Sequence, residues 1–142
     1  MGIILDTGFL YALKDEDDPH HVDATSLLES LDWDSHYPVV TTNLIVNETY
    51  SLMVFRSNGN VSLLPALDEL FWGEENFFRI MEINVGDFQK VAQILRKYVT
   101  RKRLLSFVDA SLIFLGELYN FKEIISYDSH FEGLFLNFAG RE

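Results

Sequence analysis

IILDTGF, residues 3–9, decides how the chain is read: three aliphatic residues run straight into an acid, then a hydroxyl and a glycine. The aliphatic run from Gly2 to Leu5 predicts a short buried strand ending at Asp6, with a helix starting at Thr7. Asp6 then has three chemical readings: one carboxylate of a proton-sharing pair, a nucleophile, or a ligand for a metal ion. The rest of the chain has to choose between them.

Outward from that strand, turn and cap signals divide the sequence regularly. Asp17 or Asp18 reads as an N-cap, with Pro19 in the first turn of a helix whose apolar positions Val22, Ala24, Leu27, Leu28 and Leu31 carry it to about Leu31. YPVVTT, 37–42, predicts a second strand, and Thr42 or Asn43 caps a helix that lasts until the SNGN turn at 57–60. A further helix is expected over Val61–Trp72, a third strand over FFRIMEI, 77–83, and a striped helix over 87–99. SFVDASLIFLGELY, 106–119, is apolar enough to be a buried helix. KEIISYD, 122–128, and LFLNFA, 134–139, complete a set of five strands. Strands alternating with helices predict a three-layer α/β/α sandwich on a mainly parallel, roughly five-stranded sheet. No linker, repeat or low-complexity tract interrupts it, so residues 1–142 are read as one domain.

Composition narrows the chemistry. With no Cys among 142 residues, thiolate catalysis and sulfur-bound zinc are excluded, and any metal has only oxygen or imidazole ligands. No apolar run suits a signal peptide or a membrane span, so a cytoplasmic protein is expected. The net charge of −11 disfavours general attraction to nucleic acid or anionic lipid. The bases are nevertheless clustered: Arg96, Lys97, Arg101, Lys102 and Arg103 fall within eight positions. Such a cluster serves either as a phosphate-docking patch or as a solvated helix end whose cations suit the helix dipole.

In a parallel sheet, function gathers beyond the carboxyl ends of the strands. Asp6 and Asp128 close two strands there. Glu48 lies about one and a half turns into the helix after the second strand, and Asp109 opens the helix that leads into the fourth. Four carboxylates on one rim repel one another and raise each other's pKa, a conflict that divalent cations resolve. An all-oxygen set suits Mg²⁺ or Mn²⁺, and paired ions of this kind support phosphodiester hydrolysis by a metal-activated water. Asp109 also has an ordinary role open to it, since Ser106 and Asp109 form a capping-box pair.

Taken in order, IILDTGFL, TTNLIVNETYSL, LLSFVDASLI and IISYDSHF resemble the motifs of PIN domains, the metal-dependent ribonuclease family that includes the VapC-type toxins of toxin–antitoxin pairs. The resemblance spans nearly the whole chain. It implies that Asp6, Glu48 and Asp109 ligate Mg²⁺ or Mn²⁺, that Asp128 is a fourth, less direct acid, and that Thr7 and Ser106 support them through their hydroxyls. It also implies an RNA substrate, an antitoxin protein partner and a homodimer. A stand-alone RNA-processing nuclease and a catalytically weak binding or scaffold module are the alternative roles on the same fold. RNA is expected to approach from the Arg96–Arg103 side.

The remaining polar and aromatic residues read less sharply. His130, two residues past Asp128, is placed to contact a phosphate or relay a proton. His20 and His21 point about 100° apart on a helix and do not chelate one ion together, so surface or packing roles are expected. Tyr127 reads as a core residue or as an aromatic platform for a base. Phe71 and Trp72 belong to the core or to an interface. The two other readings of Asp6 fare poorly. An aspartic protease places Asp-Thr-Gly in an almost all-β fold, whereas helices follow here. A haloacid-dehalogenase-like phosphatase needs a second acid two residues on, where this chain has Gly8.

Overall fold

The computed structural model describes residues 2–139. Its strands are β1 (Ile3–Leu5), β2 (Val39–Thr42), β3 (Arg79–Met81), β4 (Glu123–Ile125) and β5 (Leu136–Asn137). Its α-helices are α1 (Thr7–Lys14), α2 (His21–Ser30), α3 (Asn43–Arg56), α4 (Leu64–Phe71), α5 (Phe88–Tyr98) and α6 (Phe107–Tyr119). All strand pairs are parallel, in the order β3-β2-β1-β4-β5. Ile3 pairs with Val39 on one side and with Glu123 on the other. β1 is therefore central and wholly buried, as its uninterrupted aliphatic run requires.

Connections from β1 to β2 to β3 wind outward in one direction, and the chain then crosses back to place β4 on the other side of β1. Right-handed crossovers put the two halves of such a winding on opposite faces of the sheet. The helix contacts divide accordingly: α1 packs on α2 and α3, and α3 on α4, while α5 packs on α6. The winding reverses between β1 and β4, the place where an open parallel sheet leaves a crevice at its carboxyl edge.

The elements follow the sequence closely, with differences at their ends. α2 starts at His21, not beside Asp17 or Asp18, because Asp18 spends its Oδ1 on the His20 N–H (2.8 Å) and closes a separate turn before the helix. Val61–Leu63 forms a 3₁₀ turn, and α4 begins only at Leu64, with Pro65 in its first turn. At the SNGN turn Asn58 and Gly59 take positive φ, 53° and 80°, a region these two residue types enter most readily. β4 ends at Ile125, three residues short of Asp128. Beyond it the side-chain amide of Asn137 replaces the ladder, its Oδ1 accepting from Ser126 N–H (3.2 Å) and its Nδ2 donating to Ser126 C=O (2.8 Å). Among the described residues no helix is long and apolar enough to cross a membrane.

Candidate active site

A cleft of about 580 Å³ opens at the switch point, lined at its acidic end by Asp6, Glu48, Asp109 and Asp128. Each acid arrives on a different element, and local hydrogen bonding fixes each one. Asp6 takes an extended backbone immediately after β1, and its Oδ1 accepts from the Thr7 N–H (2.8 Å), capping α1. Its Oδ2 accepts from the Ser126 hydroxyl (2.6 Å). The residue as a whole is only 6% exposed. Burial is the main influence on it and pushes its pKa up from 3.8 to about 7; the nearby charges of Asp109 and Glu48 add to the rise, and the two hydrogen bonds oppose it.

Glu48 projects half-buried from α3, which Thr42 caps through its hydroxyl, accepting from Ile45 N–H at 3.2 Å. Thr7 donates its hydroxyl to Glu48 Oε1, so the residue after Asp6 positions the second acid. Burial also raises the Glu48 pKa, with Asp109 and Asp128 contributing in the same direction. Asp109 is buried in the first turn of α6, where it completes a reciprocal capping box with Ser106, both bonds being 3.0 Å. The capping role and the position in the cleft thus coexist. Asp128 is the outermost acid. It accepts from His130 N–H (3.1 Å), while its own N–H donates to the Ser126 hydroxyl (3.0 Å).

Ser126 escaped the sequence reading. Its one hydroxyl links two of the acids, donating to Asp6 Oδ2 and accepting from the Asp128 N–H. The available signal was its place two residues before the acid that follows β4. His130 lies where the sequence put it, at the rim: its Nδ1 is 2.8 Å from Asp109 Oδ2 and 3.2 Å from Asp128 Oδ2. Asp109, Asp128 and His130 each offer one atom within 4.8 Å of the others, close enough to share one ion.

Sequence reasoning did not single out Leu52 or Arg56 as cleft residues. Leu52 and Arg56 follow Glu48 at intervals of four along α3, and all three line the cleft. Arg56 pairs with Asp18 Oδ2 at 2.6 Å and lies 4.9 Å over the Tyr11 ring. Tyr127 is half-buried; it donates its hydroxyl to Asp23 and carries His20 stacked upon it. His21 turns away to Ala12 C=O at 2.6 Å, so the two adjacent histidines do diverge. None of Arg96, Lys97, Arg101, Lys102 and Arg103 lines the cleft, although Arg103 binds the Glu132 carbonyl close behind the Asp128 loop. Phe71 is a core residue, whereas Trp72 is exposed and donates its indole N–H to the Tyr50 hydroxyl (2.9 Å).

A parallel α/β sheet with carboxylates gathered at its switch point defines a class of fold built to hold charge at one edge. The sequence profile of the PIN domain matches residues 3–134, and the chain belongs to that family. Among solved structures, the fold is similar to that of Mycobacterium tuberculosis VapC20, a sarcin–ricin loop cleaving toxin, at 23% identity over 92% of each chain and a TM-score of 0.70. No curated protein sequence matches.

Proposed function

We propose that the protein is an endoribonuclease dependent on Mg²⁺ or Mn²⁺ and acts as a VapC-like toxin. One observation carries this reading: Asp6, Glu48, Asp109 and Asp128 converge on one end of a single cleft, with burial and mutual repulsion raising Asp6 and Glu48. Donors of this kind, all oxygen with one imidazole beside them, fit a hard divalent cation. The bound cation supplies positive charge against which the attacking and leaving oxygens of a phosphodiester are stabilised.

The protein's own groups prepare that site. Asp6, Glu48 and Asp109 are the ligands and Asp128 the outer acid. Ser126 and the Thr7 N–H fix the rotamer of Asp6, the Thr7 hydroxyl orients Glu48, and the Ser106 N–H holds one oxygen of Asp109. Such supporting bonds set ligand orientation before the cation arrives. Arg56 offers a guanidinium at the far wall to a phosphate, and Arg96, Lys97, Arg101, Lys102 and Arg103 draw the RNA backbone toward the cleft from outside. His130 stands at the rim in reach of the same phosphate. The acidic remainder of the surface restricts binding to this approach. A toxin of this type is cytoplasmic, forms a homodimer and is silenced by an antitoxin protein.

Cleavage of a mixed set of labelled RNAs, with Mg²⁺, with Mn²⁺ and with chelator, tests the reading. Cleavage that needs metal and disappears in Asp6→Asn and Asp109→Asn, with both variants folded, is the expected result. Metal binding by a folded dimer that cuts no RNA would instead favour a binding module.

A further inference from the structure

The closest aromatic pair among the described residues lines the same cleft as the acids. His20 and Tyr127 stack with ring centroids 4.0 Å apart and planes 7° from parallel. Every other aromatic pair among the described residues is more widely spaced and more tilted, as packing in a core favours. Tyr127 packs against the edge of the core, and His20 lies outside it. Tyr127 is half-buried against Gly8, where a Cβ would meet its ring at 3.7 Å, and its hydroxyl is bound to Asp23. His20 is exposed, and among the described residues no hydrogen bond holds its imidazole. The outer layer of the stack is therefore a ring held only by stacking.

Its position is what makes the pair more than a brace. Both rings line the acidic cleft, and both also line a second hollow of about 530 Å³ beyond Asp128 and Ser129. With Asp128 and Ser129, which also line both spaces, they form the ridge between them. Asp23 and Asp18 lie near the ridge and repel a phosphate there, whereas the face of a neutral base is unaffected by them and gains from stacking. An RNA strand crossing the ridge has room on either side for the flanking nucleotides.

We propose that the outer face of the His20–Tyr127 stack is a nucleobase subsite: a base next to the scissile phosphate stacks on His20 while the phosphate lies over the acids. The proposal rests on the reading of the cleft as an RNA-cleaving site. Because stacking accepts any base, the subsite places single-stranded RNA without reading its sequence, and a base held in a duplex is not available to it.

The probe is a short single-stranded RNA carrying one 2-aminopurine, whose fluorescence falls when it stacks. Binding to wild type, His20→Ala and His20→Tyr is followed by that quenching and by anisotropy, in chelator and immediately after mixing with Mg²⁺. Quenching is expected with wild type and is lost in His20→Ala, with affinity about tenfold weaker, the scale of one base–aromatic contact. His20→Tyr restores both. His20 is exposed, so the variants are not expected to misfold, and circular dichroism verifies it. Equal quenching by wild type and His20→Ala overturns the subsite, as does RNA cleavage by wild type with no quenching at any position of the probe; neither result touches the nuclease reading. Quenching that depends on His20 without cleavage keeps the subsite and removes the nuclease. A wild type that neither quenches nor cuts overturns both.

Discussion

Asp6 and Asp128 face each other across the switch point, yet their surroundings are opposite. Asp6 is sealed under the start of α1, bonded on both oxygens and strongly desolvated, whereas the side chain of Asp128 is 42% exposed on a short 3₁₀ turn. A carboxylate held rigidly out of water gains most from a cation, because no other positive charge compensates it. One left in water is already solvated and can adapt. The inner acids should therefore be indispensable and the outer one adjustable, and substitutions can break that contrast at several points.

The largest effect is expected at the inner acids. Asp6→Asn and Asp109→Asn should each lower single-turnover RNA cleavage on the order of 1000-fold, as removal of a preorganised charge from an active site does. Asp6→Asn should at the same time raise the melting temperature of the metal-free protein at pH 8, since it removes a buried charge. A catalytic loss accompanied by lower stability would show instead that Asp6 holds the fold together. Next comes Ser126→Ala, which frees Asp6 Oδ2 and unties the Asp128 backbone; a loss of about 10- to 100-fold in metal affinity, read by calorimetry, fits a group orienting a ligand. Asp128→Asn should cost less than either inner substitution, about tenfold in cleavage at saturating Mn²⁺. Should Asp128→Asn prove as damaging as Asp6→Asn, the distinction between inner and outer acids fails. Smallest is the effect of Arg101→Ala with Lys102→Ala, which should flatten the salt dependence of RNA binding by roughly one unit of slope for each phosphate contact removed.

The sequence carried the succession of strands and helices along the chain because each strand is a short apolar run bounded by turn chemistry, and β1 could hardly be read otherwise; the order of strands within the sheet came only from the fold. It carried the four acids because strand ends and helix starts converge on one edge of a parallel sheet. It did not carry Ser126, because a serine at a strand end has many uses and only the fold brings it 2.6 Å from Asp6. Arg56 was hidden for a related reason: the spacing of four from Glu48 through Leu52 marks one helix face, but nothing in the chain says which face meets the acids. The basic run at 96–103 was conspicuous in sequence and is peripheral to the cleft, since a charge cluster reports composition and not direction. The start of α2 was misplaced because Asp15–Asp18 offers several acceptors, and the one at Asp18 was drawn into a tighter turn and a pair with Arg56.

Burial of Asp6 creates a need that a divalent cation meets. Thermal melting of the wild type from pH 4 to pH 8, with chelator and with Mn²⁺, tests it most directly. Asp6 has a folded pKa of about 7 against an ordinary 3.8, so between these values the folded state holds a proton that the unfolded chain has lost. Stability without metal should then fall as pH rises through that window and level off above it. Mn²⁺ should reverse the loss, with the greatest stabilisation above pH 7, where the proton no longer competes, and Asp6→Asn should keep only the smaller pH dependence that half-buried Glu48 contributes. A melting temperature indifferent to Mn²⁺ at pH 8, in a protein that still cuts RNA under chelator, would contradict the account.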